Sequence, residues 1–139
     1  MVRSPVKKHV LILGAGFAGL ELAARLSDSL ADEVRVTLID QNDSFTFGFL
    51  KLDVMFGRQT AADIRLQYRD ISKEGVEFRQ ERVTAIDPAQ RRVETDEGSY
   101  EADVLAIAMG AGYDIAATPG FAEGGSSTTR SQGPSGCGR

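Results

Sequence analysis

The hydrophobic positions of this chain follow two rhythms. HVLILG, EVRVTLID and DVLAIAMG are short apolar runs rich in branched side chains, closed by a glycine or an acid. Runs of this kind predict strands buried on both faces, as in the middle of a parallel sheet. From Phe17 the spacing changes to three and four, with Leu22, Leu26 and Leu30 along one stripe. That pattern predicts an amphipathic helix, with Glu21 near its positive end. The first forty residues thus predict a strand, a helix and a second strand ending at Asp40, the length a parallel crossover needs.

Further on, the pattern is less regular. FTFGFLKLDVMFGRQ is glycine-punctuated and strongly apolar for a loop, so its aromatic side chains are expected to pack rather than face water. ADIRLQYRDISKEG fits a helix or two short turns, with Ile64, Tyr68 and Ile71 on one side. VEFR, RVTAID and RRVET alternate and are separated by turn residues, which predicts short antiparallel strands. DVLAIAMG then reads as a buried parallel strand returning to the sheet that HVLILG begins.

Composition narrows the partners. A chain of 139 residues, 42% of them hydrophobic, can build one packed core. The formal charge is −4, and residues 126–139 hold two arginines and no acid, so the remainder is more acidic still. This is no nucleic-acid footprint. The longest apolar stretch near the start, Val10 to Leu13, falls far short of the roughly 18 residues of a membrane span, and no cleavable signal pattern precedes it. The chain reads as cytoplasmic. Its single cysteine, Cys137, cannot build a disulfide framework, and no cysteine or histidine spacing suggests a metal site. His9 is expected to be a solvent-facing strand residue.

The stretch that carries chemistry is GAGFAG, with Gly14, Gly16 and Gly19 in the order G-x-G-x-x-G. The first glycine allows a tight turn off the strand, the second lets a pyrophosphate approach the backbone, and the third permits close packing of helix on strand. The positive end of the helix then faces the phosphates. A following strand ends in Asp40, placed to hydrogen-bond a ribose hydroxyl. Together these features predict dinucleotide binding. The bland alternative is that the glycines serve only a tight turn and that Asp40 is a solvated turn residue.

A plain nicotinamide domain would continue with alternating helices and strands, whereas here a meander precedes DVLAIAMG. That order resembles the FAD domain of the two-dinucleotide-binding flavoproteins, the pyridine nucleotide-disulfide oxidoreductase-like family. The resemblance covers roughly residues 8–125 and rests on Gly14, Gly16, Gly19, Asp40, RVTAID, and DVLAIAMGA followed by TPG. It implies an α/β, Rossmann-like FAD-binding domain over residues 1–125, a parallel sheet with an antiparallel β-meander. It also implies that FAD lies against Ala15 and Phe17 of the loop, Gln41 beside Asp40, a backbone contact at Val83, and Ala108 and Gly110, where Met109 stands in place of the usual threonine. VTLIDQNDSFTFGFLKLDVMFGRQT is similar to the sulfide:quinone oxidoreductase and type II NADH dehydrogenase branch. By that likeness the apolar loop runs beneath the flavin, with Lys51 and Asp53 as the polar residues to watch.

The implied activity is an oxidoreductase passing electrons through FAD from NAD(P)H or sulfide to an acceptor such as a quinone, in a parent peripheral to a membrane. A second nucleotide domain and a later return segment belong to that family pattern, so the chain reads as its truncated FAD-binding part. Residues 126–139 read as a Ser/Gly/Pro linker or as the product of a frameshift near Gly125, since a shifted frame yields an aromatic pair followed by a helix-like pattern. Cys137 receives no catalytic role. Two other readings are open: a stand-alone module binding NAD or FAD and acting with a partner chain, and a truncated remnant with no activity and marginal stability.

Overall fold

The computed structural model describes residues 7–71, 73–112, 114, 117, 119 and 120. The tail from residue 126, with Cys137, lies outside the described residues. Two compact units form: Met1–Phe45 with Arg65–Gly110, and Thr46–Ile64 with Ala111–Arg139.

In the first unit, β1 (Lys8–Leu13), α1 (Phe17–Leu30) and β2 (Val34–Asp40) follow the expected order. β1 and β2 pair in parallel from Lys8 opposite Val34 to Leu13 opposite Ile39. Leu11, Ile12, Leu13, Val36, Leu38 and Ile39 are almost completely buried, because these two strands occupy the middle of a four-stranded parallel sheet ordered β5-β2-β1-β9. One sheet face packs Val10, Ile12, Val36 and Leu38 against Ala23, Leu20, Leu22 and Leu26 of α1. The other packs Leu11, Leu13 and Ile39 against Val93, Val83, Ile86 and Tyr100. Those last residues belong to β6 (Val83–Asp87), β7 (Arg92–Thr95) and β8 (Ser99–Glu101), an antiparallel meander. Helix, sheet and meander are therefore three layers. The buried stripe of α1 runs Gly19, Ala23, Ser27, and the Ser27 hydroxyl donates to the Glu74 carbonyl at 2.7 Å, tying the helix to the turn before β5. Leu30 ends the helix exposed.

Several expectations need correction. VEFR belongs to β5 (Val76–Gln80), which pairs in parallel with β2 at the edge of the main sheet; the meander consists of RVTAID, RRVET and the unanticipated SYE. β9 (Val104–Ile107) does pair in parallel with β1, but Val104 and Ile107 are more than half exposed: as the last strand of the sheet it is covered incompletely. His9 is half-buried rather than simply solvent-facing. Its ring bridges strands, with Nε2 2.9 Å from the Thr37 hydroxyl and Nδ1 2.9 Å from the Glu101 carbonyl. Glu21 lies beyond the first turn of α1 and pairs with Arg25 at 2.7 Å.

The segment of ADIRLQYRD forms β4 (Arg65–Gln67) and one 3-10 turn at Tyr68–Asp70 rather than a helix. β4 pairs with β3 (Ser44–Thr46). Tyr68 and Ile64 are buried, as their shared spacing suggested. In the second unit, α2 (Leu50–Met55) is short, and the aromatic side chains expected to be packed are exposed: Phe49 by 87%, Phe56 by 70% and Phe47 by 43%. Arg58 sits over the Phe56 ring at 5.6 Å. Among the described residues no helix is long and apolar enough to cross a membrane.

Candidate functional site: the glycine turn and its cleft

The turn between β1 and α1 is built by three different glycine constraints. Gly14 has φ +95°, a backbone region that side-chain-bearing residues seldom adopt, and a Cβ there would collide with the Ala108 carbonyl and lie 2.8 Å from Met109 Cα. Gly19 approaches so closely that a Cβ would overlap the Gly14 carbonyl. Gly16, at φ −77°, is in ordinary extended backbone, and a Cβ on it would meet nothing within 4 Å. The outer two glycines serve the fold, while the middle one leaves open space beside the helix start. That is the cradle a pyrophosphate needs. Gly16 caps α1 without a side-chain bond, and no acid within the helix's own first turn offsets the positive end of the dipole.

Asp40 is turned toward this loop. Its Oδ2 accepts the Ala15 N–H at 2.7 Å, and its Oδ1 accepts the backbone and side-chain N–H groups of Asn42, each at 2.8 Å. An ionised carboxylate offers about four acceptor positions, so these three bonds leave room for one further donor. The acid that ends β2 thus organises the turn as well as facing the cleft. Tyr68 grips the loop from the other side, its hydroxyl donating to the Ala15 carbonyl at 2.7 Å. Burial, together with the Asp40 and Asp43 carboxylates, pushes the Tyr68 phenol well above its ordinary pKa, so it keeps the proton it donates.

A polar cleft opens at the carboxyl ends of these strands, lined by Gly14, Ile39, Asp40, Gln41, Asn42, Glu81, Arg82, Val83 and Met109. It brings together Gly14, Asp40, Gln41 and Val83 as the sequence suggested, at the strand ends where open α/β sheets take ligands. Phe17 is exposed at the start of α1 and meets Phe45 edge-on, with ring centroids 4.8 Å apart. Ala108 contributes backbone beside Gly14, and its N–H continues the sheet to the Leu13 carbonyl at 2.7 Å. Gly110, at φ +72°, borders open space. Lys51 and Asp53 belong to the second unit, where Asp53 pairs with Arg58 at 3.4 Å.

Sequence reasoning missed Glu81, a carboxylate only 8% exposed in the cleft wall. It accepts from the Thr95 hydroxyl at 2.6 Å and the Tyr100 hydroxyl at 2.5 Å. Burial and this bond push the Tyr100 phenol up to about 12. Neither Glu81 nor Tyr68 falls in a recognisable motif; their partners lie 14 to 53 positions away.

With this geometry in view, the comparisons with known proteins agree. A family model, pyridine nucleotide-disulphide oxidoreductase, matches residues 8–133. The chain belongs to that family. A type II NADH:quinone oxidoreductase of Staphylococcus epidermidis is 36% identical over 106 residues, 75% of this chain and 26% of the relative, and the Staphylococcus aureus protein of that description is 33% identical over the same span. Among solved structures, the sulfide:quinone oxidoreductase of Aquifex aeolicus superposes with a TM-score of 0.68 at 31% identity, covering 74% of this chain and 24% of that one. NDH2 of Plasmodium falciparum, solved with NADH, gives 0.69 at 20% identity over 85% of this chain and 25% of that one, a likeness of fold alone. This member of the pyridine nucleotide-disulphide oxidoreductase family spans about a quarter of the length of the relatives it matches.

Proposed function

We propose that this chain is the FAD-binding part of a flavin-dependent oxidoreductase that passes electrons from NAD(P)H or sulfide to an acceptor such as a quinone. The observation that carries the reading is the open space beside Gly16 at an acid-free helix start, flanked by Asp40 at the end of the next strand. Family membership and the meander between β5 and β9 favour FAD over a plain nicotinamide dinucleotide. FAD, when bound, supplies the electron-transfer chemistry itself. The chain's own part is to hold and orient. Gly14, Ala15, Gly16, Phe17 and Gly19 form the cradle for the pyrophosphate, Asp40 and Gln41 meet the adenosine ribose, Val83 offers backbone to the adenine, and Ala108 and Gly110 skirt the cofactor.

These residues serve the ADP end of the cofactor. The 139 residues are therefore expected to bind FAD weakly and to turn over slowly by themselves. The domain is taken to run over residues 1–125, with residues 126–139 as a tail outside it.

A second reading is a stand-alone adenine-dinucleotide module that acts with a partner chain, and the exposed aromatic side chains Phe47, Phe49 and Phe56 favour it. Thermal unfolding in the presence of FAD or NAD separates the two. A rise in Tm with FAD exceeding that with NAD supports the flavoprotein reading; a rise with NAD alone supports the module, and no response to either overturns both.

A further inference from the structure

The glycine turn is fixed at one residue from two sides, and the second hold comes from outside any motif. Ala15 is completely buried. Its N–H donates to Asp40 Oδ2, and its carbonyl accepts from the Tyr68 hydroxyl, both at 2.7 Å. No cis peptide occurs among the described residues, so in each peptide plane the C=O and the N–H point in opposite directions. Fixing the Ala15 N–H therefore fixes the Gly14 carbonyl across the same plane, where it lies against Gly19. Fixing the Ala15 carbonyl in turn fixes the Gly16 N–H, which points away from Tyr68, on the residue that borders open space.

Tyr68 can act as a fixed post because it is itself held. It is 2% exposed, its ring centroid lies 4.8 Å from that of Phe78, and its own N–H donates to the Asp43 carbonyl at 3.0 Å. Arg65, at the start of β4, bonds the Asp43 carboxylate at 3.0 Å, closing that short ribbon.

We propose that Tyr68 is a positioning residue for the pyrophosphate: its hydroxyl sets the tilt of the Ala15–Gly16 peptide and so presents the Gly16 N–H to the ligand. This rests on the dinucleotide reading above. Tyr68 would touch no part of the ligand and act only through Ala15.

Titration of the full chain with ADP and with adenosine, followed amide by amide in 15N–1H NMR spectra, tests the proposal. Tyr68→Phe keeps the ring and removes the hydroxyl, and is expected to weaken ADP about three- to tenfold, the worth of one hydrogen bond, while leaving adenosine affinity unchanged. A purely structural role would weaken both alike or neither, and either result overturns the proposal. Should Tyr68→Phe fail to fold, the wild-type spectrum decides: a large ADP-induced shift at the Gly16 amide that adenosine does not cause supports the proposal. Movement at Asn42 and Val83 without movement at Gly16 contradicts it. A folded wild-type chain that binds neither ADP nor adenosine removes the dinucleotide reading and the positioning role with it, whereas wild-type binding with an unaffected variant removes the positioning role alone.

Discussion

Gly16 and Gly19 sit three positions apart in one motif and answer to different constraints. A methyl group on Gly19 would overlap the Gly14 carbonyl, so Gly19→Ala must push helix and strand apart, an overpacking that costs about 1–3 kcal/mol. Denaturant unfolding should register that loss with or without ligand. Gly16→Val places its side chain in open space in a permitted backbone conformation and should cost no more than about 1 kcal/mol, the worth of a poorer N-cap residue, while obstructing the pyrophosphate. Equal destabilisation by the two substitutions would show that Gly16 is also a packing residue. Asp40 departs from the simple picture of a ribose acceptor, since three of its acceptor positions already serve Ala15 and Asn42.

At the scale of the element, the joint between sheet and meander depends on Glu81. Tyr100→Phe removes one of its two hydroxyl donors, and leaving a buried acceptor short of a partner costs about 1–3 kcal/mol, measurable as a lower denaturation midpoint. The raised Tyr100 pKa has a direction in pH as well. The folded chain holds this proton more tightly than the unfolded chain does, so its stabilising contribution is complete below the ordinary phenol value of 10 and declines as pH rises toward about 12. Unfolding between pH 9 and about 12 should show a steeper loss in wild type than in Tyr100→Phe; parallel curves would mean that the proton contributes nothing.

The central elements were legible because burial on both faces leaves its mark in local composition: HVLILG and EVRVTLID are short runs of branched side chains closed by a glycine or an acid. VEFRQ was misread for the same reason. As the edge of a parallel sheet it is covered on part of its surface, so it alternates, and alternation is also the signature of an antiparallel strand. β9 misled in the opposite sense, since its continuous apolar run fits a doubly covered strand while Val104 and Ile107 stand exposed. Within the site, the glycines and Asp40 were readable because their constraints act over a few residues. Tyr68, Glu81 and the His9 bridge were not, because hydrogen bonds across 14 to 92 positions leave no local period.

Over the whole molecule, stability is concentrated in the three-layer unit. Leu38→Ala, in the central strand, should cost about 2–5 kcal/mol, whereas Phe49→Asp, at a side chain 87% exposed, should change the unfolding free energy by no more than about 0.5 kcal/mol. A large destabilisation by Phe49→Asp would mean that the second unit packs its aromatics more firmly than their exposure indicates. Function is distributed in the same way: the residues proposed to hold the adenine end lie in the three-layer unit, and the chain matches about a quarter of its relatives' length. The most direct test of the central claim is a calorimetric titration of FAD into the purified chain, repeated with Gly16→Val. Saturable one-to-one binding that ADP displaces, and that Gly16→Val abolishes while the variant stays folded, is the predicted result. A folded wild-type chain with no saturable binding, or a Gly16→Val chain that binds FAD equally well, would contradict it.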